Sequence, residues 1–441
     1  LMNTFHGRRP ALMEHYRPDG MSCSCLVYVC ARRRSKMTDF DDIRPYRDNE
    51  VRDVIERLLN GPDLIHTMLH HKFPNISSWA EVPLSLVVRW LIKRELKSVS
   101  TVHDFQTLLA KYLTVNVKKT TSGFTSSGLD QLDPTQNYTF ISNHRDIAMD
   151  PAFVNLALHN AGRDTVEIAI GDNLLAKPLV SDLMRLNKSF TVQRSVQGIK
   201  NKYKAFKNLS TYINSRLEQD SSIWIAQREG RAKDGVDKTD PAIIKMLTMF
   251  GKKQRLSFSE TVNKLNIVPV SISYEFDPCD LLKAEELQTT EQHGQYEKAE
   301  GEDVQSIING ISKPKGQVHV SFGSPIIGDF ENAEEIADLI DLQVLSNYQL
   351  HVSNLVAFEQ LDLKSALLNG LQSDNLKQIQ DKAQQALQKW RSKNAAEYSE
   401  QAAEFTQRIQ QYPQRLQSYI LVMYANPLIE KYRMQMESMS V

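Results

Sequence analysis

The sequence predicts an α/β fold in which helices flank a central, mostly parallel sheet. Short segments rich in β-branched and aromatic residues recur between residues 138 and 322, and longer segments with helical spacing separate most of them. Strands that alternate with helices are typical of a layered fold with a buried parallel sheet. The predicted strands are Tyr138–Ser142, Val166–Ile170, Phe190–Gln193, Ile223–Ala226, Ile267–Tyr274 and Val318–Phe322.

Helical patterns precede the predicted sheet, interrupt it and follow it. Asp48 is suited to cap a first helix whose apolar residues share one face, and Gly61 lies just past its end. Similar patterns continue to about residue 113. Inside the sheet region, Asn201–Leu217 repeats apolar residues at spacings of three and four. From about Asn332 onward, the pattern predicts helices alone.

These patterns divide the chain into four predicted parts. Residues 1–36 form a leader, and residues 37–129 form a helical N-terminal portion. Residues 130–330 form the α/β domain, and residues 331–441 form a helical C-terminal extension.

The leader differs from the rest of the chain in composition. It holds seven Arg or Lys against two acidic residues, and it includes Cys23, Cys25 and Cys30. Its apolar run precedes its main basic cluster, the reverse of a secretory signal, and its cysteines lack a well-placed fourth zinc ligand. We therefore expect residues 1–36 to be an upstream extension of doubtful place in the native protein, with folded protein beginning near Met37.

Charge and cysteine content restrict the class of protein. The formal net charge is zero, which gives no support to nucleic-acid binding. Cys279 is the one cysteine after the leader, so a disulfide framework is excluded there and a reducing compartment is indicated.

One apolar segment indicates contact with a membrane surface. Val82–Ile92 is shorter than the roughly 18–20 apolar residues that a spanning helix needs, and Arg89 interrupts it. Trp79 and Trp90 lie at its flanks, and basic residues follow. This composition predicts a helix in the plane of the membrane interface, although a core helix with a basic edge fits equally well. We expect a peripheral protein on the cytoplasmic side of a membrane, without a transmembrane helix.

The segment from Phe140 to Pro151 carries the strongest chemical signal. A predicted strand delivers His144 to its end, where ligand sites of α/β sheets lie. Asp146 and Asp150 follow, and an imidazole beside a carboxylate has the parts of a general base and its orienting acid. We also expect Asp150 to cap the next helix and Pro151 to begin it.

Two families share parts of this segment. His144-Arg145-Asp146 is similar to the catalytic loop of protein kinases, but Pro151 stands where that loop has Asn. The Gly-rich loop and the Asp-Phe-Gly sequence of kinases are also missing.

The second resemblance is to the glycerolphosphate and lysophosphatidic acid acyltransferases, whose first motif is Asn-His, four residues, then Asp. Three further motifs of that family follow in order, and a closing strand ends them. They are Phe190-Thr-Val-Gln-Arg194, Ile223-Trp-Ile-Ala-Gln-Arg-Glu-Gly-Arg231, Ile267-Val-Pro-Val270 and the strand Val318–Pro325. The resemblance covers roughly residues 130–330.

The resemblance implies transfer of a fatty acyl group from acyl-CoA or acyl carrier protein to a hydroxyl of a glycerol-phosphate-type acceptor, with lysophosphatidic acid as the first candidate. It implies His144 as general base. The acceptor site would contain Arg194, Glu229, Gly230 and Arg231, because guanidinium groups bind phosphate bidentately and glycine allows close approach. No metal and no tightly bound cofactor are implied.

The chain departs from the family pattern in ways that leave alternatives open. The family places its Asp five residues after the His, where this chain has Met149, so both Asp150 and Asp146 remain candidates, with Asp150 slightly favoured. Pro269 could instead mark an edge strand or a bulge. A lipid-binding protein without catalysis and an acyl-thioester hydrolase remain rival functions, and the sequence does not set the oligomeric state.

Overall fold

A computed structural model describes residues 40–61, 65–66, 69–70, 73, 76–175, 177–219, 221–299, 301–361, 373–393 and 395–437. The predictions for residues 1–36, including Cys23, Cys25 and Cys30, and for Met37 lie outside these residues. The chain divides into residues 1–41 and residues 42–441. All features described below belong to the second unit.

A seven-stranded sheet forms the centre of the described structure. Its strands are β1 (Gly123–Ser127), β2 (Thr139–Ser142), β3 (Glu167–Gly171), β4 (Ser189–Val192), β5 (Ile223–Ala226), β6 (Ile267–Tyr274) and β7 (Gln317–Phe322). The spatial order is β1-β7-β6-β2-β5-β3-β4. Neighbours pair in parallel except β6 with β7, which pair antiparallel. The predicted fold class is confirmed.

Helices surround this sheet and continue to the end of the described chain. Those before β5 are α1 (Asp48–Asn60), α2 (Ser78–Glu95), α3 (Val102–Thr120), α4 (Met149–Asn160), α5 (Pro178–Leu186) and α6 (Ile199–Leu217). Those between β5 and β7 are α7 (Pro241–Leu247), α8 (Gly251–Gln254), α9 (Phe258–Leu265), α10 (Asp280–His293) and α11 (Glu302–Ser312). After β7 come α12 (Ala333–Asn347), α13 (Val352–Gln360), α14 (Ser373–Lys393), α15 (Ala395–Gln410) and α16 (Gln414–Glu437).

Each predicted strand is present within a residue or two of its expected bounds. The sequence patterns did not predict β1, which pairs in parallel with β7. Because β1 begins at Gly123, the sheet starts seven residues before the predicted start of the α/β domain. Its sequence, Gly-Phe-Thr-Ser-Ser, has one large apolar residue and therefore little strand signal.

Pro269 lies in the interior of the sheet, so the edge-strand alternative is wrong. β6 has β2 on one side and β7 on the other, and Pro269 is in register with Ile141. The Pro269 carbonyl accepts a hydrogen bond from Gly323 at 2.8 Å, at the end of the β6–β7 ladder. The missing N–H of proline therefore falls where the antiparallel pairing stops.

The core lies between the sheet and its helices. β2 is buried over all four residues, and Phe140 packs edge-on against Phe322 while Phe153 of α4 packs on Tyr274. A second apolar cluster joins α10 to the helices that follow β7, with Phe405 among its fully buried side chains. These last helices thus pack against the part of the chain that precedes β7.

Helix α2 exposes much of its apolar surface. Trp79 is 82% exposed and Trp90 57%, with Val82 and Leu86 also exposed, so α2 is not a core helix of the described fold. No helix in the described ranges is long and apolar enough to cross a bilayer.

Candidate active site

The end of β2 is held in place by Asn143, the residue before His144. The Asn143 amide is completely buried; it donates to the Ile272 carbonyl and to Asp237, both at 3.0 Å, and accepts from the Ile272 N–H at 2.8 Å. The His144 carbonyl accepts from the Ala232 N–H at 2.8 Å. These bonds attach the loop that carries His144 to β6 and to the loop after β5.

His144 is paired with Asp150. The His144 Nδ1 lies 2.8 Å from Asp150 Oδ2, and the carboxylate is completely buried. The same oxygen accepts the backbone N–H groups of Arg145 at 2.7 Å and Asp146 at 3.0 Å, and Oδ1 accepts the Tyr274 hydroxyl at 2.7 Å. A carboxylate with four donors is held in one orientation, and it fixes the imidazole with it.

The predicted capping role of Asp150 is wrong. Helix α4 begins at Met149 with Ala148 as its N-cap residue, so Asp150 lies in the first turn and Pro151 is its third residue. Its carboxylate is turned back onto the preceding loop instead of capping the helix.

Asp146 performs the capping instead. Its Oδ1 accepts the N–H groups of Ala148 at 3.0 Å and Met149 at 2.8 Å, satisfying donors at the start of α4. Its Oδ2 is buried and has no hydrogen-bond partner among the described residues. Burial and the charge of Asp150 raise the pKa of Asp146 to about 6. Of the two candidates, the structure brings Asp150 to the imidazole.

A cleft of about 270 Å³ opens beside His144. It is lined by residues from the ends of β3 and β5, by the loop after β5 and by α11. The predicted residues Arg194, Gly230 and Arg231 line it together with His144. Glu229 is 71% exposed and lies 3.3 Å from Arg194. Gly230 has a φ of 75°, and a Cβ there would meet no described atom within 4 Å, so backbone conformation and not crowding favours glycine.

Arg231 lines this cleft and is largely buried. The residue is 6% exposed, and its Nη2 donates to the Ser306 hydroxyl of α11 at 3.1 Å. Its Nη1 is buried and has no hydrogen-bond partner in the described structure. A buried, unpartnered guanidinium nitrogen is costly and rare, so this position suits an anionic ligand.

Sequence reasoning missed several further residues of the cleft. Arg228 and Trp224 lie inside the motif Ile223–Arg231 but were assigned no role, and Lys233 follows it by two residues. The Trp224 ring lies edge-on to His144 with ring centroids 6.0 Å apart. Lys298, which pairs with Asp303 of α11 at 2.8 Å, reaches the cleft from the segment between α10 and α11. Proximity to the motif could have indicated Arg228 and Lys233, but no local pattern marks Lys298.

A larger apolar groove of about 560 Å³ adjoins the cleft. It lies among α3, α4 and the strands β3 and β4, and Leu113, Met149, Ala152 and Leu156 are among its lining residues. Ile147, Ile170 and Leu174 line both the groove and the cleft. The imidazole therefore lies at the junction of a charged cleft and an apolar groove.

Two buried ion pairs stabilise the loop that carries His144. Arg145 lies 2.6 Å from Asp237, and Lys283 lies 2.5 Å from Asp277. The Lys283 ammonium also donates to the Arg145 carbonyl at 2.8 Å. Burial alone would raise the pKa of Asp277, but Lys283 lowers it below its ordinary value. These contacts fix the backbone next to His144.

Metal-ligand geometry is found away from the cleft. Among the described residues, the group His66, His70 and Glu81 has ligand atoms close enough to share an ion, and none of the three lines the cleft.

Comparison with known proteins agrees with the family resemblance. Residues 123–273 match the family model described as Acyltransferase. Among solved structures, the chain is similar to the 1-acyl-sn-glycerophosphate (LPA) acyltransferase PlsC from Thermotoga maritima. The identity is 15% and the TM-score 0.31, over 55% of this chain and 75% of that one. No curated protein matches the chain. The resemblance drawn from the sequence is confirmed by the match over residues 123–273.

Proposed function

We propose that this protein transfers a fatty acyl group from acyl-CoA or acyl carrier protein to a hydroxyl of a glycerol-phosphate-type acceptor; the match of residues 123–273 to the family model described as Acyltransferase supports this proposal. Lysophosphatidic acid is the first candidate acceptor. The observation that carries the proposal is the contact of His144 with the buried Asp150 at the edge of a cleft that also contains Arg231.

In the proposed reaction, His144 acts as general base. When its Nδ1–H donates to Asp150, its Nε2 holds the free lone pair and can accept the hydroxyl proton of the acceptor. The acceptor oxygen forms a bond to the thioester carbon, and the carbon–sulfur bond breaks. The imidazolium returns its proton to the leaving thiolate, and Asp150 stabilises the positive charge in between. Such assistance is worth roughly 10²–10⁴ in rate.

The acceptor phosphate is proposed to bind at Arg231 and Arg194. The free, buried Nη1 of Arg231 supports this assignment, since a phosphate oxygen would supply its missing acceptor. Arg194 is 29% exposed on its side chain and contacts the more exposed Glu229, whose carboxylate is suited to hold Arg194 or to accept a glycerol hydroxyl.

The apolar groove is proposed to hold the fatty acyl chain. Its lining is mainly aliphatic, and it meets the cleft at Ile147, Ile170 and Leu174, close to the imidazole. Each buried methylene contributes about 0.8 kcal/mol, so a groove of this size favours long-chain thioesters.

Helix α2 is proposed to place the protein at a membrane surface. Its exposed tryptophans, Trp79 and Trp90, have the amphipathic character of interfacial anchors, and Arg94 stacks over the Trp90 ring at 5.1 Å. A lysolipid acceptor would reach the cleft from such a surface.

The proposal is tested by release of free thiol from acyl-CoA and from acyl carrier protein in the presence of several lysolipids and of glycerol 3-phosphate. Mass spectrometry of the lipid products identifies the acceptor. We expect turnover that depends on a phosphorylated acceptor and is abolished in His144→Ala. His103→Ala is the matched control, because His103 is exposed on α3 and does not line the cleft.

Two other outcomes would replace the proposal. Release of thiol with water alone, independent of any phosphorylated acceptor, would identify an acyl-thioester hydrolase. Binding of lysolipid without release of thiol would indicate a lipid-binding protein without catalysis. Equal turnover in His144→Ala would show that the reaction does not use this imidazole.

A further inference from the structure

The helical turn before α2 places two imidazoles against one carboxylate. Residues 65–66 and 69–70 are helical, so His66 and His70, four residues apart, lie on the same face. Their ring centroids are 4.2 Å apart. Glu81, in the first turn of α2, lies opposite: its Oε1 is 2.7 Å from His66 Nδ1 and 3.4 Å from His70 Nε2.

We propose that His66, His70 and Glu81 bind one divalent transition-metal ion, with Zn²⁺ as the metal. Their ligand atoms all lie within 4.8 Å of one another. Zinc–nitrogen and zinc–oxygen bonds of about 2.0–2.2 Å place such atoms around a common centre after small side-chain rotations. Two imidazoles and one carboxylate, completed by water, form a known zinc ligand set.

The chemistry of the ligands selects the class of metal. Imidazole nitrogen suits zinc, copper, nickel and cobalt, whereas calcium and magnesium prefer oxygen ligands alone. Two of the three ligands here are imidazoles on one helical face at a spacing of four residues, which is also the spacing of the histidine pair in helical zinc sites.

An ion pair between His66 and Glu81 is a simpler explanation of why these side chains lie together. The surroundings of His70 show that this explanation is incomplete. The His70 Nε2 is shielded from solvent and makes no hydrogen bond within the described part of the chain, although the Glu81 carboxylate lies nearby. Glu81 lies within ion-pair distance of both rings, at 2.7 Å from His66 and 3.4 Å from His70, yet this leaves the His70 nitrogen without a hydrogen bond to a described residue, which is unfavourable. A metal ion that accepts lone pairs from both rings and from the carboxylate satisfies all three groups.

The position of the site indicates a structural role. Its ligands come from the helical residues His66 and His70 and from the start of α2, and none lines the cleft of His144. A metal ion there ties the two segments together. It would fix the start of the helix that exposes Trp79 and Val82, so this inference concerns the anchoring of α2 and is independent of the acyl-transfer reaction.

The test is a Zn²⁺ titration of the full-length, untagged protein after removal of metals with a chelator, followed by calorimetry and by competition with a chromophoric chelator. We expect His70→Ala to weaken zinc binding by more than about tenfold, since even outer-sphere changes cost 10–100-fold. Glu81→Gln preserves shape and should weaken binding similarly. His103→Ala, which removes an exposed imidazole elsewhere, should bind as the unaltered protein does.

Cobalt substitution separates this site from the cysteine-rich first 36 residues. Co²⁺ bound by thiolates absorbs strongly in the near ultraviolet, whereas a site of imidazoles and carboxylate does not. The visible Co²⁺ bands should disappear in His70→Ala and Glu81→Gln. Equal zinc affinity in both variants, with unchanged circular dichroism, overturns the proposal, as does binding that shows thiolate absorption alone. Neither result depends on acyl transfer.

Discussion

The hydroxyl of Tyr274 donates a hydrogen bond of 2.7 Å to Asp150 Oδ1, on the carboxylate whose other oxygen contacts His144. Tyr274 is the last residue of β6, and Asp150 lies in the first turn of α4, so this bond joins the sheet to the helix across the site. Burial and the charge of Asp150 raise the pKa of Tyr274 well above its ordinary value, so the phenol remains a donor at any physiological pH.

Tyr274→Phe should therefore impair the proposed reaction without removing any group that contacts substrate. The change leaves Asp150 Oδ1 buried without its donor, which costs about 1–3 kcal/mol of unfolding free energy. A less firmly held carboxylate orients His144 less well, so we expect kcat to fall by roughly tenfold, part of the 10²–10⁴ that the base contributes. The pH dependence of kcat should shift, whereas KM for the acceptor should not. An unchanged pH profile would indicate a purely structural tyrosine.

The substitutions Asp150→Asn and Asp146→Asn distinguish the roles of the two carboxylates. An amide at position 150 cannot stabilise the imidazolium, and we expect kcat to fall by roughly 10²–10⁴. Asp146 makes its hydrogen bonds to the N–H groups at the start of α4, which an asparagine oxygen can also accept. Steady-state kinetics above pH 7 should therefore show most of the activity in Asp146→Asn. The reverse order of losses would assign the orienting role to Asp146.

Asp146 also makes stability depend on pH in a defined direction. Burial and the charge of Asp150 raise its pKa from 3.8 to about 6, so the folded state binds the proton more tightly than the unfolded state does. The folded protein should lose stability as pH rises from about 4 to about 6, with the full cost, up to about 3 kcal/mol, present above pH 6. Urea unfolding across this range should show the loss in the unaltered protein and a smaller one in Asp146→Asn. If the unfolding free energy of both proteins depends on pH with the same slope, this prediction is wrong.

Much of this site was visible in the sequence because the residues that carry chemistry lie at the ends of strands. β5 and β6 have the predicted bounds, and their mainly apolar sequences, four and eight residues long, suit the buried centre of a parallel sheet. Because His144, Gly230 and Arg231 follow predicted strands in the sequence, their location along one edge of the sheet could be predicted.

Side-chain direction could not be predicted in the same way. Asp150 stands directly before Pro151, a pattern typical of a cap, but the helix begins two residues earlier than predicted, at Met149, and the carboxylate turns back to the loop. Tertiary contacts with Tyr274 decide this, and they join residues 124 positions apart. The proximity of His66, His70 and Glu81 could not be predicted from the sequence, because Glu81 belongs to a different helix from the two histidines.

Arg231→Ala should weaken the binding of the phosphorylated acceptor specifically. A hydrogen bond to a charged group is worth about 1.5–3 kcal/mol, so KM for the acceptor should rise roughly 10–100-fold. A short acyl thioester without phosphate groups serves as donor, so that CoA binding does not contribute. Arg231→Lys keeps the charge but not the planar fork, and it should recover only part of the affinity. Equal KM values in all three proteins would remove Arg231 from the acceptor site.

Ala152→Phe should change the chain length that the protein accepts. Ala152 lies on α4 and lines the apolar groove, so a phenyl ring there occupies volume that the proposed acyl chain needs. Because each buried methylene contributes about 0.8 kcal/mol, long-chain thioesters should lose kcat/KM relative to short ones. Competition between thioesters of different length, with products quantified by mass spectrometry, measures this ratio. Ala161→Phe, at the exposed position directly after α4, is the matched control and should leave the ratio unchanged. If Ala152→Phe lowers kcat/KM equally for every length, the acyl chain binds elsewhere.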